Sequence, residues 1–227
     1  MKEQATTPLE RRQWFGLARR KEAWVLTWRG WLLVLFLLAL GGFLALDLVH
    51  DFLAVNAPVN SGVLVVEGWI PEYALTNFIA HHRYEMIYTT GGPTLTDRYS
   101  HDDSDTYASV ALGRLLHAGV PAEKLRMVPC WISQRDRTYA AALALRDWCA
   151  TNHVALTAFD VVTMDVHARR SRLLSEEVFG AHAKVGVIPL VNEEYDPDHW
   201  WRYSEGVKEV LSESAAYLYA RFWFSPD

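Results

Sequence analysis

The sequence predicts an α/β protein: a five-stranded, mostly parallel Rossmann-like sheet with helices on both faces, preceded by one N-terminal transmembrane helix. Three observations carry that reading. Short β-branched runs alternate with longer segments of helical period, as right-handed strand–helix–strand crossovers require. Polar residues gather just after those runs, where the ligand crevice of an open parallel sheet lies. An uncharged apolar stretch precedes everything else.

The N-terminal part is read from charge. Residues 1–30 hold 7 Lys and Arg against 3 Asp and Glu, a head of +4, which leaves a body of −9 from the chain's 22 basic and 27 acidic residues. Such a head suits an anionic membrane surface, and so acidic a body excludes general nucleic-acid binding. Between Arg29 and Asp47 there is no charge, and Trp31 to Leu46 reads WLLVLFLLALGGFLAL. That run rises about 24 Å as a helix, short of a ~30 Å hydrocarbon core, so the span takes in Gly30 and Trp28 or thins the bilayer. Arg11, Arg12, Arg19, Arg20, Lys21 and Arg29 precede it and place the N-terminus in the cytoplasm, with Trp24, Trp28 and Trp31 as an interfacial belt.

The division expected is a cytoplasmic basic head (1–29), a transmembrane helix (30–47), a linker (48–61) rich in turn formers, and an α/β domain (62–227). A cleaved signal peptide is the competing reading, but its charged region would be about 30 residues long and no small-x-small cleavage site follows. The lipid bilayer of an inner or plasma membrane is therefore the first expected partner, with the domain periplasmic or extracellular. Cys130 and Cys149 would meet an oxidising environment there, yet two thiols form no disulfide scaffold.

Strands are expected at Val63–Glu67, Met86–Thr90, Leu125–Val128, Val161–Met164 and Val185–Pro189. Helices fit Glu72–His82, Ser104–Ala118, Thr138–Thr151, Arg170–Phe179 and Trp201–Phe222. The last has the clearest period, and Val207, Val210, Leu211, Ala215, Leu218 and Phe222 are expected to pack on the core.

The stretch Phe159–Ser171 holds the densest chemistry. Its apolar run delivers Asp165, His167, Arg169, Arg170 and Ser171 at a strand end. Arg169, Arg170 and Arg172 as a solvated first turn is the plain alternative, although helix starts favour acids. Glu67 closes the first strand and is either a paired acid or an edge residue in solvent. Gly68 follows it. Thr90-Gly91-Gly92 closes the second, as an anion-binding nest or as a tight turn. After the third come Gln134-Arg135-Asp136-Arg137-Thr138, where Arg137 offers a guanidinium fork for phosphate or carboxylate and Thr138 a cap. The polar run His101-Asp102-Asp103-Ser104-Asp105 reads best as a helix cap and matches no metal-site spacing. Glu67, Thr90, Gly91, Gly92, Arg137, His167 and Arg170 are expected around one mouth. No Ser-His-Asp order, Gly-x-Ser-x-Gly elbow or helical metal-ligand pair specifies a reaction.

Val65-Val-Glu-Gly-Trp69, Thr90-Gly-Gly92, Ala118-Gly-Val-Pro121, Arg135-Asp-Arg-Thr138, and Thr163 followed by His167-Ala-Arg-Arg-Ser171 resemble the YdcF-like family, which also includes the envelope proteins SanA and ElyC. The resemblance covers about residues 62–190 and rests most on Thr163, His167 and Arg170. It implies a Rossmann-like domain behind a membrane helix and a role in envelope biogenesis or barrier function, with no settled reaction and no known cofactor. The sequence departs from the family pattern twice: Tyr107-Ala108 stands for a Glu-Ala pair, and Ala140-Ala141-Ala142 for Glu-Asn-Ala.

Three functions compete. One is envelope biogenesis through a pocket for an anionic small molecule or lipid-linked precursor. Another is a hydrolase or transferase on a phosphorylated or nucleotide-like compound, with His167 as acid or base and Glu67 as its partner. The third is a non-catalytic scaffold using the aromatics His199-Trp200-Trp201 and Trp223.

Overall fold

A computed structural model describes residues 25–94, 102–131 and 136–225; the basic head up to Trp24, His101 and the Gln134-Arg135 pair lie outside the described residues. The chain forms two compact units, Met1–Gly42 and Phe43–Asp227.

The first element is α1 (Trp28–Leu53), which carries the expected span 30–47 and continues six residues beyond it. Residues 44, 45 and 47 lie outside the described side chains. Among the described residues no helix is long and apolar enough to cross a membrane. The second unit alternates β1 (Val63–Glu67), α2 (Glu72–His81), β2 (Met86–Gly91), α3 (Tyr107–His117), β3 (Leu125–Pro129), α4 (Arg137–Thr151), β4 (Ala158–Met164), α5 (Ala168–Phe179), β5 (Lys184–Leu190) and α6 (Ser204–Phe222). Every strand pair is parallel, in the order β3-β2-β1-β4-β5, so the chain reverses its winding between β1 and β4.

The pleat sorts the core. On β1, Leu64 and Val66 join Leu75, Phe78, Ile79 and Leu115 under α2 and α3. Val65 joins Phe159, Val161, Leu145 and Val178 under α4 and α5. With a side-chain period of two, Glu67 must share the face of Val65, toward α4 and α5. Cys130 and Cys149 are both buried.

The chain between α1 and β1 is tied down. Asp160, buried within β4, accepts from the amides of Val59 (2.6 Å) and Asn60 (2.9 Å), and Ala57 bridges antiparallel to Val187. Its neighbour Gly186 has no room for a side chain, because a Cβ there would stand 1.9 Å from Asp160 Oδ1.

The last helix differs from its expected packing. Val210 is buried, but Leu211 (57% exposed), Leu218 and Phe222 face outward. The start of α6 is set by Trp200: Gly206 lies so close that a Cβ would stand 2.4 Å from the Trp200 carbonyl oxygen. That approach turns Gly206, Val210 and Glu213 inward instead of the wider apolar stripe. Trp200 is itself buried, against the expectation of an exposed aromatic, and its Nε1 donates to the Leu46 carbonyl at 2.9 Å.

Candidate functional site

The switch point between β1 and β4 leaves their carboxyl ends unobstructed by a crossover, and there the polar side chains converge. Glu67, 8% exposed, is held by three donors. Thr163 Oγ1 donates to its Oε2 at 2.5 Å, Ser171 Oγ to its Oε1 at 2.6 Å, and Trp69 Nε1 to Oε2 at 3.1 Å. A carboxylate taken out of water needs such donors, and Thr163 and Ser171, both fully buried, supply two of them. Glu67 is thus the paired acid and not an edge residue. Thr163 and Ser171 orient it and do not line the cavity.

His167 ends the single turn Asp165–His167 that joins β4 to α5. Its Nδ1 lies 2.9 Å from Glu213 Oε1 and its Nε2 3.6 Å from Glu67 Oε2, with the Trp69 ring edge-on at 5.0 Å. The imidazole therefore stands between two carboxylates. Arg170, one turn on, grips the second of them through two parallel contacts, Nε to Oε2 at 2.9 Å and Nη2 to Oε1 at 3.0 Å, and reaches Thr138 Oγ1 at 3.2 Å. Burial works to raise the Glu213 carboxyl, but hydrogen bonds from His167 and Arg170 outweigh it and hold the group down to about 2.

The neighbouring arginines have structural work. Arg169 donates to the Phe52 carbonyl and lies over its ring, 3.9 Å from the centroid, at the C-terminal end of α1 where a cation is favourable. Arg172 pairs with Glu176 one turn along α5. Asp102 caps the short turn Asp103–Asp105, as the cap reading of that run anticipated, while α3 itself is capped by Thr106, just beyond the run.

Around these groups lies a cavity of about 620 Å³. Glu67, Thr90, Gly91, Gly92, Arg137, Thr138, His167 and Arg170 all line it, so the strand-end convergence expected from sequence is present. Gly68 backs it without lining it: a Cβ would stand 2.1 Å from the Tyr107 carbonyl oxygen, so glycine is needed for the approach of α3. Gly91, at φ +151°, meets the same helix, and the Gly92 carbonyl accepts from the Tyr107 amide at 2.8 Å. These glycines serve close packing at the mouth. Tyr107 and Ala141, where the sequence departs from the pattern it resembles, both line the cavity.

Sequence reasoning missed the contribution of α6. Glu209, Glu213, Ala216 and Ala220 line one side of the cavity, at helical spacing. The signal was there, an acid placed between Val210 and Ala216 on one stripe, but the competing apolar stripe concealed it. Among the described residues no group of three or more His, Cys, Asp or Glu is placed to hold a metal ion. No family model, curated protein or solved structure matches the chain.

Chemically, the arrangement offers a proton donor or acceptor in His167, an acid fixed by three donors in Glu67, and an exposed guanidinium in Arg137 that has no ion pair among the described residues.

Proposed function

We propose that the chain is a membrane-anchored protein of the cell envelope whose extracytoplasmic domain binds an anionic, phosphate-bearing ligand in this cavity. The observation that carries the reading is Arg137. It opens α4 at the cavity wall beside Thr138, and the Asp136 side chain does not cap that helix. The amides that open a helix, a hydroxyl and a guanidinium fork form a phosphate-binding set. His167, across the cavity, would share or release a proton as the ligand's charge changes.

The anchor is supported by α1, where Leu32, Leu33, Leu35, Phe36, Leu37 and Leu38 are each more than half exposed. Apolar side chains that find no protein partner are at home in lipid. The resemblance to the YdcF-like family supports the envelope role and the orientation, with the N-terminus cytoplasmic and the domain outside.

A second reading, a hydrolase or transferase on the same class of ligand, is favoured by one geometry: His167 held between Glu67 and Glu213. An imidazole so placed is a ready general acid or base. Calorimetric titration of the full chain in detergent micelles with inorganic phosphate and with phosphomonoesters, while free phosphate is assayed, tests both. Binding without release supports the first reading, release supports the second, and neither removes the anion site.

A further inference from the structure

We infer that His50, near the end of α1, is a positioning residue of the His167 site: paired with Asp165, it fixes the turn that presents the imidazole to the cavity. This rests on the reading above that His167 is the working group there.

The turn is unusual at its first residue. Asp165 sits at φ +37°, a conformation that a non-glycine residue keeps only where its surroundings impose it. Two groups hold its carboxylate. Tyr195 Oη donates to Oδ2 at 2.8 Å, and His50 Nε2 lies 3.1 Å from Oδ1. No hydrogen bond joins the two by geometry, so the contact is one of charge, made when the imidazole is protonated. Both partners are more than nine-tenths buried, and water and salt screen the pair little.

The contacts of α1 continue on both sides of His167. Leu53 packs with Val166 in one buried cluster, and Arg169 holds Phe52 by its carbonyl and its ring. Residues 165, 166 and 169 are thus all held by the last turns of α1, and His167 lies between them. A sheet that begins at β1 would possess every cavity-lining residue and still lack this brace.

The groups facing His50 are few. Asp51 Oδ1 lies 3.8 Å from Nδ1 on the solvent side, Asp165 stands opposite, and the Tyr195 ring meets His50 edge-on at 5.9 Å. Arg169 lies over the ring of Phe52, two residues along α1. His50 is therefore a buried base with one buried acid, and that acid is the hinge of the His167 turn.

A merely structural pair would glue α1 to the domain and leave the cavity unaltered. The two roles separate in full-length protein in micelles, with histidine ring signals followed by NMR and inorganic phosphate as the probe. His50→Gln should displace and broaden the His167 ring signals and weaken phosphate binding about tenfold, a coupling of ordinary size. Leu75→Ala, in the core beneath α2, should lower the melting temperature without moving those signals. Tyr195→Phe removes only one hydroxyl from the other oxygen of Asp165 and should act in the same direction, which keeps the test decisive if His50→Gln does not fold. Unchanged His167 signals in folded His50→Gln and Tyr195→Phe would overturn the inference, as would equal movement in Leu75→Ala. Signals that move in a protein whose wild type binds no phosphate would uphold the positioning role and remove the anion reading alone.

Discussion

Arg170 and Glu213 meet edge to edge, Nε to Oε2 and Nη2 to Oε1, and so lock α5 to α6 beneath the imidazole of His167. The bidentate pair occupies the guanidinium that the sequence offered to a ligand. Arg170→Ala should therefore cost stability, about 3 kcal/mol for leaving a largely buried carboxylate short of its cation. At about 2–4 °C per kcal/mol for a chain of this size, melting curves will read the loss directly. Phosphate affinity per folded molecule should change little.

Arg137→Ala should do the reverse. A charge-assisted contact to phosphate contributes ~1.5–3 kcal/mol, so affinity should fall roughly 10- to 150-fold while the melting temperature holds. Arg137→Lys keeps the charge and loses the fork, and should restore only part. Equal affinities in all three proteins by calorimetry would move the ligand elsewhere.

Glu213 makes the domain acid-sensitive over a defined window. Its carboxyl is held below the ordinary 4.5, down to about 2, by His167 and Arg170 against the effect of burial. A lowered acid contributes stability that is complete above the unfolded value and lost as pH falls through the folded one, here between 4.5 and about 2. The contribution is on the order of 3 kcal/mol. Denaturant midpoints of wild type and Glu213→Gln should differ at pH 6 and converge as pH approaches 2.

His50 titrates in the opposite sense. Burial lowers its affinity for a proton, but Asp165, with Asp51 adding to it, outweighs that and raises it above 6.5. A raised base contributes stability that is fully present below 6.5 and fades as pH rises through the higher folded value. The gap in melting temperature between wild type and His50→Gln should accordingly narrow on going from pH 6 to alkaline pH. A gap that widens would contradict the ion pair.

Thr163→Val should destabilise by about 1–3 kcal/mol, since the buried Glu67 carboxylate loses a donor at 2.5 Å while the side-chain volume stays nearly constant. Thr163→Ser, which keeps the hydroxyl, should lose much less. Chemical denaturation of the two variants side by side reads the difference.

The sheet was legible because period and strand length agree: all five strands fall at their expected places, Val63–Glu67 to the residue. The mouth was legible for the same reason, since polar residues ending buried strands must arrive at one edge. Partners contributed from far along the chain were not. Glu213 lies 43 residues beyond Arg170, and nothing local to either marks the pair. The mismatch of basic residues with a helix start suggested ligands, yet Arg169, Arg170 and Arg172 each meet a protein acceptor instead. Cations at a helix start need partners of some kind, and here the protein itself supplies them from α1, α6 and α5. Likewise Leu211, Leu218 and Phe222 have helical period on a face that the protein leaves exposed, because the contact of Gly206 with Trp200 fixes the rotation of α6.

Asp160 changes what a cut in the chain would accomplish. It grips Val59 and Asn60 from within the sheet, while Leu53 and His50 are buried on the far side of the connecting segment. A protease that nicked the backbone near the exposed Asn56 would sever the covalent link between α1 and β1 without breaking either attachment. The two pieces would stay together as a non-covalent complex. Shedding of the domain from its helix therefore demands cleavage upstream of Leu46, whose carbonyl Trp200 already holds.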